Sequence, residues 1–210
     1  MSVSQLVVVL ALLGCAGPAT GQSGERPRPV RPRPVPAGFG SLSQNDLALR
    51  MGNDDIEIRF IPLDPRITPL LARDAFHSLR TLAETHRRAI DSVAARAGVA
   101  QPGLALVSFF GQRPDVRFDP QTLTLLIRNR VFRPLGVIPI NAKFTSQQLG
   151  VREQASALYL FEETIPVDDS FTLSYGPLSS ADWQGKQPIL DRERARVAAR
   201  ARSESRDTAR

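Results

Sequence analysis

Few side chains in this 210-residue chain are of a kind that does chemistry. The two histidines, His77 and His86, are nine residues apart within one helical pattern. At about 100° per residue that spacing sets them on opposite sides of a continuous helix, so one metal ion could not take both. His86 falls with Leu79, Leu82, Ala89 and Val93 on the apolar stripe and reads as a core histidine, whereas His77 shares the polar face with Arg73, Arg80 and Glu84. Carboxylates come in neighbouring pairs: Asp54-Asp55, Glu162-Glu163 and Asp168-Asp169. Adjacent residues on a strand point to opposite faces, so Glu162 and Glu163 cannot form the acid and nucleophile of a retaining glycosidase, about 5 Å apart. Asp168 and Asp169 precede Ser170 in a loop, where turn chemistry explains them. A calcium site there would require a second loop, such as Asn53-Asp54-Asp55, to converge on them. Trp183, the only tryptophan, is either an exposed platform for a sugar or a partner or a lid folded back on the end of the domain. There is no G-x-S-x-G elbow, no serine three residues before a lysine and no P-loop. No catalytic residue, metal or cofactor is expected, with Trp183, Asp168 and Asp169 the candidate contacts for a ligand or partner.

Cys15 is the sole cysteine, which excludes an intrachain disulfide. It closes the sequence Leu12-Leu13-Gly14-Cys15, directly after the apolar run Leu6 to Leu13. This resembles the lipobox of bacterial lipoproteins, with Leu at −3, a small residue at −1 and the acylated Cys. The resemblance implies cleavage before Cys15 and a diacylglycerol on its thiol. Ala19-Thr20-Gly21 offers a second small-x-small cleavage that would discard Cys15 and release a secreted protein. On either route residues 1–21 read as a signal peptide, since eight apolar residues suit an h-region and fall short of the roughly 18 that span a bilayer. The expected location is the bacterial envelope, lipid-anchored and facing the periplasm or in the outer membrane, or else outside the cell.

The formal net charge of +6 divides unevenly. Residues 22–43 carry +3 and residues 191–210 carry +3, while between 44 and 190 fourteen arginines and two lysines meet sixteen acids. The basicity therefore belongs to the ends. Neither end places an aromatic between its arginines as a single-strand binder would, so no nucleic-acid partner is expected. Anionic lipid headgroups are the possible partner of such ends, beside solvated tails.

From Gln22 to Ser43 the prolines at 27, 29, 32, 34 and 36 predict a polyproline II spacer, on the order of 50 Å long or more at about 3.1 Å per residue. A globular domain over 44–190 follows. Asp55 to Phe60 alternates as a half-buried strand. Thr68-Pro69 and Gly98 bracket one long amphipathic helix at about 69–97. Extended segments then recur at Leu104 to Phe110, Leu123 to Ile127, Val131 to Ile140 (interrupted by Pro134 and Pro139), Ala157 to Glu162 and Phe171 to Tyr175. Ala157 to Glu163 and Phe171 to Gly176 resemble the closing hairpin of immunoglobulin-like domains on bacterial exported proteins. The resemblance implies an α+β chain, mainly β: an antiparallel immunoglobulin-like sandwich with one long packed helix. Pro188 to Arg202 reads as a basic helix, within a tail from 191 to 210 that becomes disordered beyond Ser203.

These features point to a tethered, non-enzymatic interaction domain that contacts another envelope protein. The alternatives are a carbohydrate- or calcium-binding sandwich, and a hydrolase whose site is assembled from distant residues.

Overall fold

The computed structural model describes residues 36–207, with side chains to residue 204. The expected signal peptide over residues 1–21, Cys15 and most of the expected spacer over residues 22–43 lie outside the described residues. The fold is α+β, and its sheets are antiparallel. In chain order it comprises α1 (Gln44–Leu47), β1 (Leu49–Gly52), β2 (Ile56–Pro62), α2 (Arg73–Thr85), α3 (Arg87–Ala97), β3 (Gly103–Gly111), β4 (Val116–Arg117), β5 (Leu123–Ile127), β6 (Arg130–Phe132), β7 (Gly136–Pro139), α4 (Ala142–Ser146), β8 (Gln148–Leu149), β9 (Gln154–Phe161), β10 (Thr172–Tyr175), β11 (Leu178–Ser180) and α5 (Trp183–Asp207). Short 3-10 turns cover Thr68–Leu70 and Pro120–Thr122.

A five-stranded sheet has the order β1-β2-β3-β9-β7, a four-stranded sheet the order β11-β10-β5-β6, and β4 pairs with β8. The near-continuous apolar runs of β3 and β9 arise because the five-stranded sheet is covered on both faces. Ala105, Val107, Phe109, Ala157, Tyr159 and Phe161 share one core with Leu123, Leu125, Phe132 and Leu173 of the four-stranded sheet. Leu158, Leu160 and Ile138 point the other way, against Ile90, Val93 and Leu82 of the helices. Period-2 alternation thus serves two cores at once. Beyond the reach of the helices the same outer face turns polar, and the buried hydroxyls of Ser108 and Ser156 meet at 2.8 Å with Gln154 donating to both.

The expected segment Val131 to Ile140 is two strands. Pro134 falls in the link by which the chain leaves β6, an edge of the four-stranded sheet, for β7, an edge of the five-stranded one. Proline lacks the N–H a central strand needs, so both edges tolerate their prolines.

The single helix expected over 69–97 is corrected to a turn and two helices. Pro69 opens a 3-10 turn, Leu71 is extended, and α2 starts only at Arg73. The cause is tertiary: Leu42 N–H donates to the Leu70 carbonyl and Ala72 N–H to the Leu42 carbonyl, so the entering chain pairs with residues 70–72. Gly40 permits this approach, because a Cβ there would stand 2.2 Å from the Leu70 carbonyl carbon. A second break at His86 turns α3 toward β7 and β9. His86 is half-buried at this break rather than buried in a stripe.

The helix expected over Pro188 to Arg202 starts five residues earlier and continues past Ser203 to the last described residue. α5 runs from Trp183 to Asp207, and Trp183, Leu190 and Val197 are fully buried in the main core. Pro188 costs it one hydrogen bond, to the carbonyl of Gln184 in the first turn.

Candidate functional site

At the end of the five-stranded sheet where β3 finishes, a cleft of about 410 Å³ opens between the β1–β2 turn, the loop after β3 and the β10–β11 turn. Asn53 shapes the first of these turns: its Oδ1 accepts from the N–H groups of Asp55 and Ile56. The Gln112 N–H donates to the Asp55 carbonyl and joins the second loop to the first. Arg113 then reaches across, its guanidinium 3.2 Å from an Asp55 oxygen and 3.7 Å from one of Asp54. Asp115 holds a left-handed φ of 56°, a conformation that Asp tolerates better than most residues, and its carboxylate accepts from Gln148. Arg117 lines the same cleft, exposed and without an ion-pair partner among the described residues.

Tyr175 forms the opposite wall. Its hydroxyl accepts from the Asp119 N–H at 2.9 Å, and its ring packs on Phe109, 5.7 Å between centroids. Burial pushes the phenol above its ordinary pKa; the Asp119 N–H opposes that shift, and the Asp119 charge adds to it. The wall therefore stays a neutral phenol at physiological pH. Ile56, Val116, Pro177 and Leu178 supply apolar surface between these polar groups. The lining thus sets Arg113 and Arg117 beside Asp55 and Asp115, with Arg113 engaged by its two aspartates and Arg117 the guanidinium left open, next to a phenol edge and an apolar floor.

The candidates read from the sequence lie elsewhere. Trp183 is fully buried, donates its indole N–H to the Val167 carbonyl at 3.1 Å and packs on Phe171. It is the lid of the core and offers no ring face to a sugar. Asp168 accepts from Arg66 at 2.9 Å and from Arg194 at 2.7 Å. Asp169 lies 3.4 Å from Arg128. The 53–55 turn and the 168–170 loop do not converge: each meets its own arginines, and no group of three metal-ligating side chains occurs among the described residues.

Asp168 belongs to a structural network. Arg66 grips the buried Asp64 through two bonds of 2.8 and 2.7 Å and also donates to the Ile165 carbonyl. The hydrogen bond to Asp64 holds the Arg66 guanidinium above its already high pKa, against the opposing effect of burial. Arg66 and Arg194 thereby tie the end of β2, the 165–168 loop and α5 together.

The sequence reading missed Arg113, Arg117 and Tyr175. A signal was present: Gln112-Arg113-Pro114-Asp115 follows a strand with turn residues, and loops at sheet ends are where binding groups collect. In comparisons with protein families, curated proteins and solved structures, nothing matches this chain.

Proposed function

We propose that this chain is a non-enzymatic interaction domain of the bacterial envelope, held by a lipid on Cys15 through the Pro/Arg spacer, with the Arg113–Arg117–Tyr175 cleft as its contact for an acidic segment of another envelope protein. The observation that carries the reading is the state of the carboxylates. Asp54 and Asp55 face Arg113, Asp64 and Asp168 face Arg66, and Asp169 and Glu163 face Arg128 and Arg130. A carboxylate already engaged by a guanidinium has to give up that contact before it can serve a substrate or a metal ion. Arg117 and the Tyr175 edge remain open, and Arg and Tyr are the residue types that anchor protein interfaces. Of the immunoglobulin-like sandwich, the proposal keeps two antiparallel sheets that enclose one core, supported by Phe60 against Phe171 and Phe109 against Tyr175. Its strand order is its own.

Two experiments test it. Growth with an alkyne fatty acid should label the chain and not its Cys15→Ser variant; an intact chain that takes up no label sinks the anchor. Crosslinking in membranes should capture a partner that is lost in Arg117→Glu. A partner captured equally well by Arg117→Glu and Arg113→Glu would show that the cleft is not the contact.

A further inference from the structure

Where α2 and α3 stop covering the outer face of the five-stranded sheet, register places eight residues there in two rows. Arg50 lies opposite Arg59, Arg59 opposite Ser108 and Ser108 opposite Ser156; in the next row Gly52, Glu57, Phe110 and Gln154 follow in the same strand order. At about 4.8 Å between strands and 3.3 Å per residue, this grid is about 14 Å wide and about 7 Å deep. Both serines are buried, with the Gln154 amide donating to them, while Arg50 and Gln154 are exposed and Phe110 is half-buried. The centre of the grid is under-satisfied. The Arg59 guanidinium lies over the Phe110 ring, 4.9 Å from its centroid, and its Nη2 stands 3.6 Å from Glu57 Oε1, too far for a hydrogen bond. Glu57 Oε1 and Arg59 Nε each lack a hydrogen-bond partner among the described residues. An acceptor and a donor left this close call for one group that donates to the first and accepts from the second, and a hydroxyl does both. The Glu57 and Arg59 side chains are 34% and 29% exposed, so a small shift of either opens the pair to solvent. Past the end of the second row lies a cavity of about 530 Å³ lined by Gly52, Asn53, Asp54, Glu57, Gln112 and Arg113, all but Gly52 bearing an amide, carboxylate or guanidinium.

We propose that this grid and its cavity bind a glycan of equatorially linked pyranoses, of the cellulose or chitin type, at a site separate from the open Arg117 and independent of any lipid on Cys15. Such a chain is a flat ribbon with hydroxyls along its edges and C–H groups on its faces. Its hydroxyls meet Glu57, Arg59, Arg50 and Gln154, and a C–H face lies along Phe110. An anionic ligand fits less well, because a carboxylate that reaches Arg59 also meets the Glu57 charge beside it. The helices set the shape of the occupant. Leu82, Ile90 and Val93 pack on Ile138, Leu158 and Leu160 of the same sheet face, and a helix is about 10 Å across, so they raise a step next to the grid. That step holds off a second flat sheet and admits a narrow ribbon.

Titration of the full chain with cellohexaose, chitohexaose and maltohexaose, followed by calorimetry and by the arginine Nε–H resonances, tests the site. Cellohexaose or chitohexaose should bind saturably in the millimolar range or below and shift the Arg59 Nε–H signal, while maltohexaose, a coiled chain, should bind at least tenfold more weakly. Glu57→Gln, which keeps the size of the side chain, should weaken binding about tenfold or more, and Arg50→Ala, an exposed change, at least threefold. Arg133→Ala, on the other sheet and exposed, should leave it within twofold; matched melting temperatures guard against loss of fold. Asn53 and Arg113 line the neighbouring cleft as well and are left intact, so the result is independent of the partner contact proposed there. Absence of saturable binding by both flat hexasaccharides overturns the proposal, as does equal loss in Arg133→Ala or an Arg59 signal that stays fixed at saturation. Equal affinity for maltohexaose overturns the choice of a flat ribbon, and saturable binding of hexaglutamate in place of the sugars would assign the face to an acidic peptide.

Discussion

Ser41 and Glu193, 152 residues apart in the chain, are joined by two hydrogen bonds of 2.8 Å to one carboxylate oxygen. The carboxylate is 1% exposed, and Arg196 and Arg200 stand 3.5 and 4.0 Å from it. Its second oxygen has no hydrogen bond. Replacement by alanine strands the two Ser41 donors and two cations. Glu193→Ala is expected to cost about 3 kcal/mol in urea unfolding, Glu193→Gln about 1–2 and Ser41→Ala about 1. A Glu193→Ala midpoint equal to that of the parent would show that the clasp contributes nothing to folding.

Trp183 is expected to fluoresce as a buried indole, shielded from acrylamide in the folded chain and quenched on unfolding. Trp183→Ala should cost about 3–5 kcal/mol, the range for emptying an aromatic core site. Strong quenching in the native state would restore it as a candidate ligand platform.

Arg66→Ala leaves Asp64, 4% exposed, without its guanidinium. The expected loss is about 2–3 kcal/mol, discounted because the Arg66 side chain is 37% exposed. Asp168→Asn retains partners for both arginines and should cost under about 1 kcal/mol. A larger effect for Asp168→Asn than for Arg66→Ala would place the centre of the network at the wrong residue.

Both tyrosines are pushed above their ordinary pKa, Tyr159 chiefly by burial and then by Tyr175 and Asp119, and Tyr175 chiefly by burial. A folded pKa raised above the unfolded value of about 10 favours the neutral phenol, so the associated stability is complete below about pH 10 and is lost as pH rises further. Melting temperature should fall steeply above that point, and less steeply in Tyr159→Phe. That variant gives up the hydrogen bond to the Pro120 carbonyl and about 1 kcal/mol at neutral pH. Phenolate absorbance that develops fully near pH 10 in the folded protein would contradict the shift.

Calcium added to chelator-treated protein should leave the melting temperature unchanged. Binding at Asp54-Asp55 or at Asp168-Asp169 would first have to break ion pairs with Arg113, Arg66, Arg194 and Arg128. An upward shift of several degrees at millimolar calcium would reveal a site, since a ligand selective for the folded state must raise stability.

The strands were legible where side-chain period alone decides. Ile56, Ile58 and Phe60, and Leu123, Leu125 and Ile127, announce their faces in the sequence, and Pro134 and Pro139 mark edges because a missing N–H is a local fact. The division of charge into a neutral domain and two basic ends was legible for the same reason. Three things were not. Leu71 belongs to a helical pattern, yet pairing with Leu42 holds it extended, and that partner is 29 residues away. Asp54, Asp55, Asp168 and Asp169 look alike as neighbouring acids, and only the arginines that tertiary contacts bring to them decide that they are ion pairs. The stripe Leu190, Val197 and Ala201 is too thin to predict docking, since burial depends on what it meets, and Leu190 and Val197, joined by Trp183 from the first turn of α5, meet the core between the sheets. Local geometry and composition set which segments form strands and where the charge lies. Convergence of Phe39, Ser41, Glu193 and Arg200, and of Arg113, Arg117 and Tyr175, is set by long-range packing, because hydrogen bonds and ion pairs act over ångströms in space and are indifferent to separation along the chain.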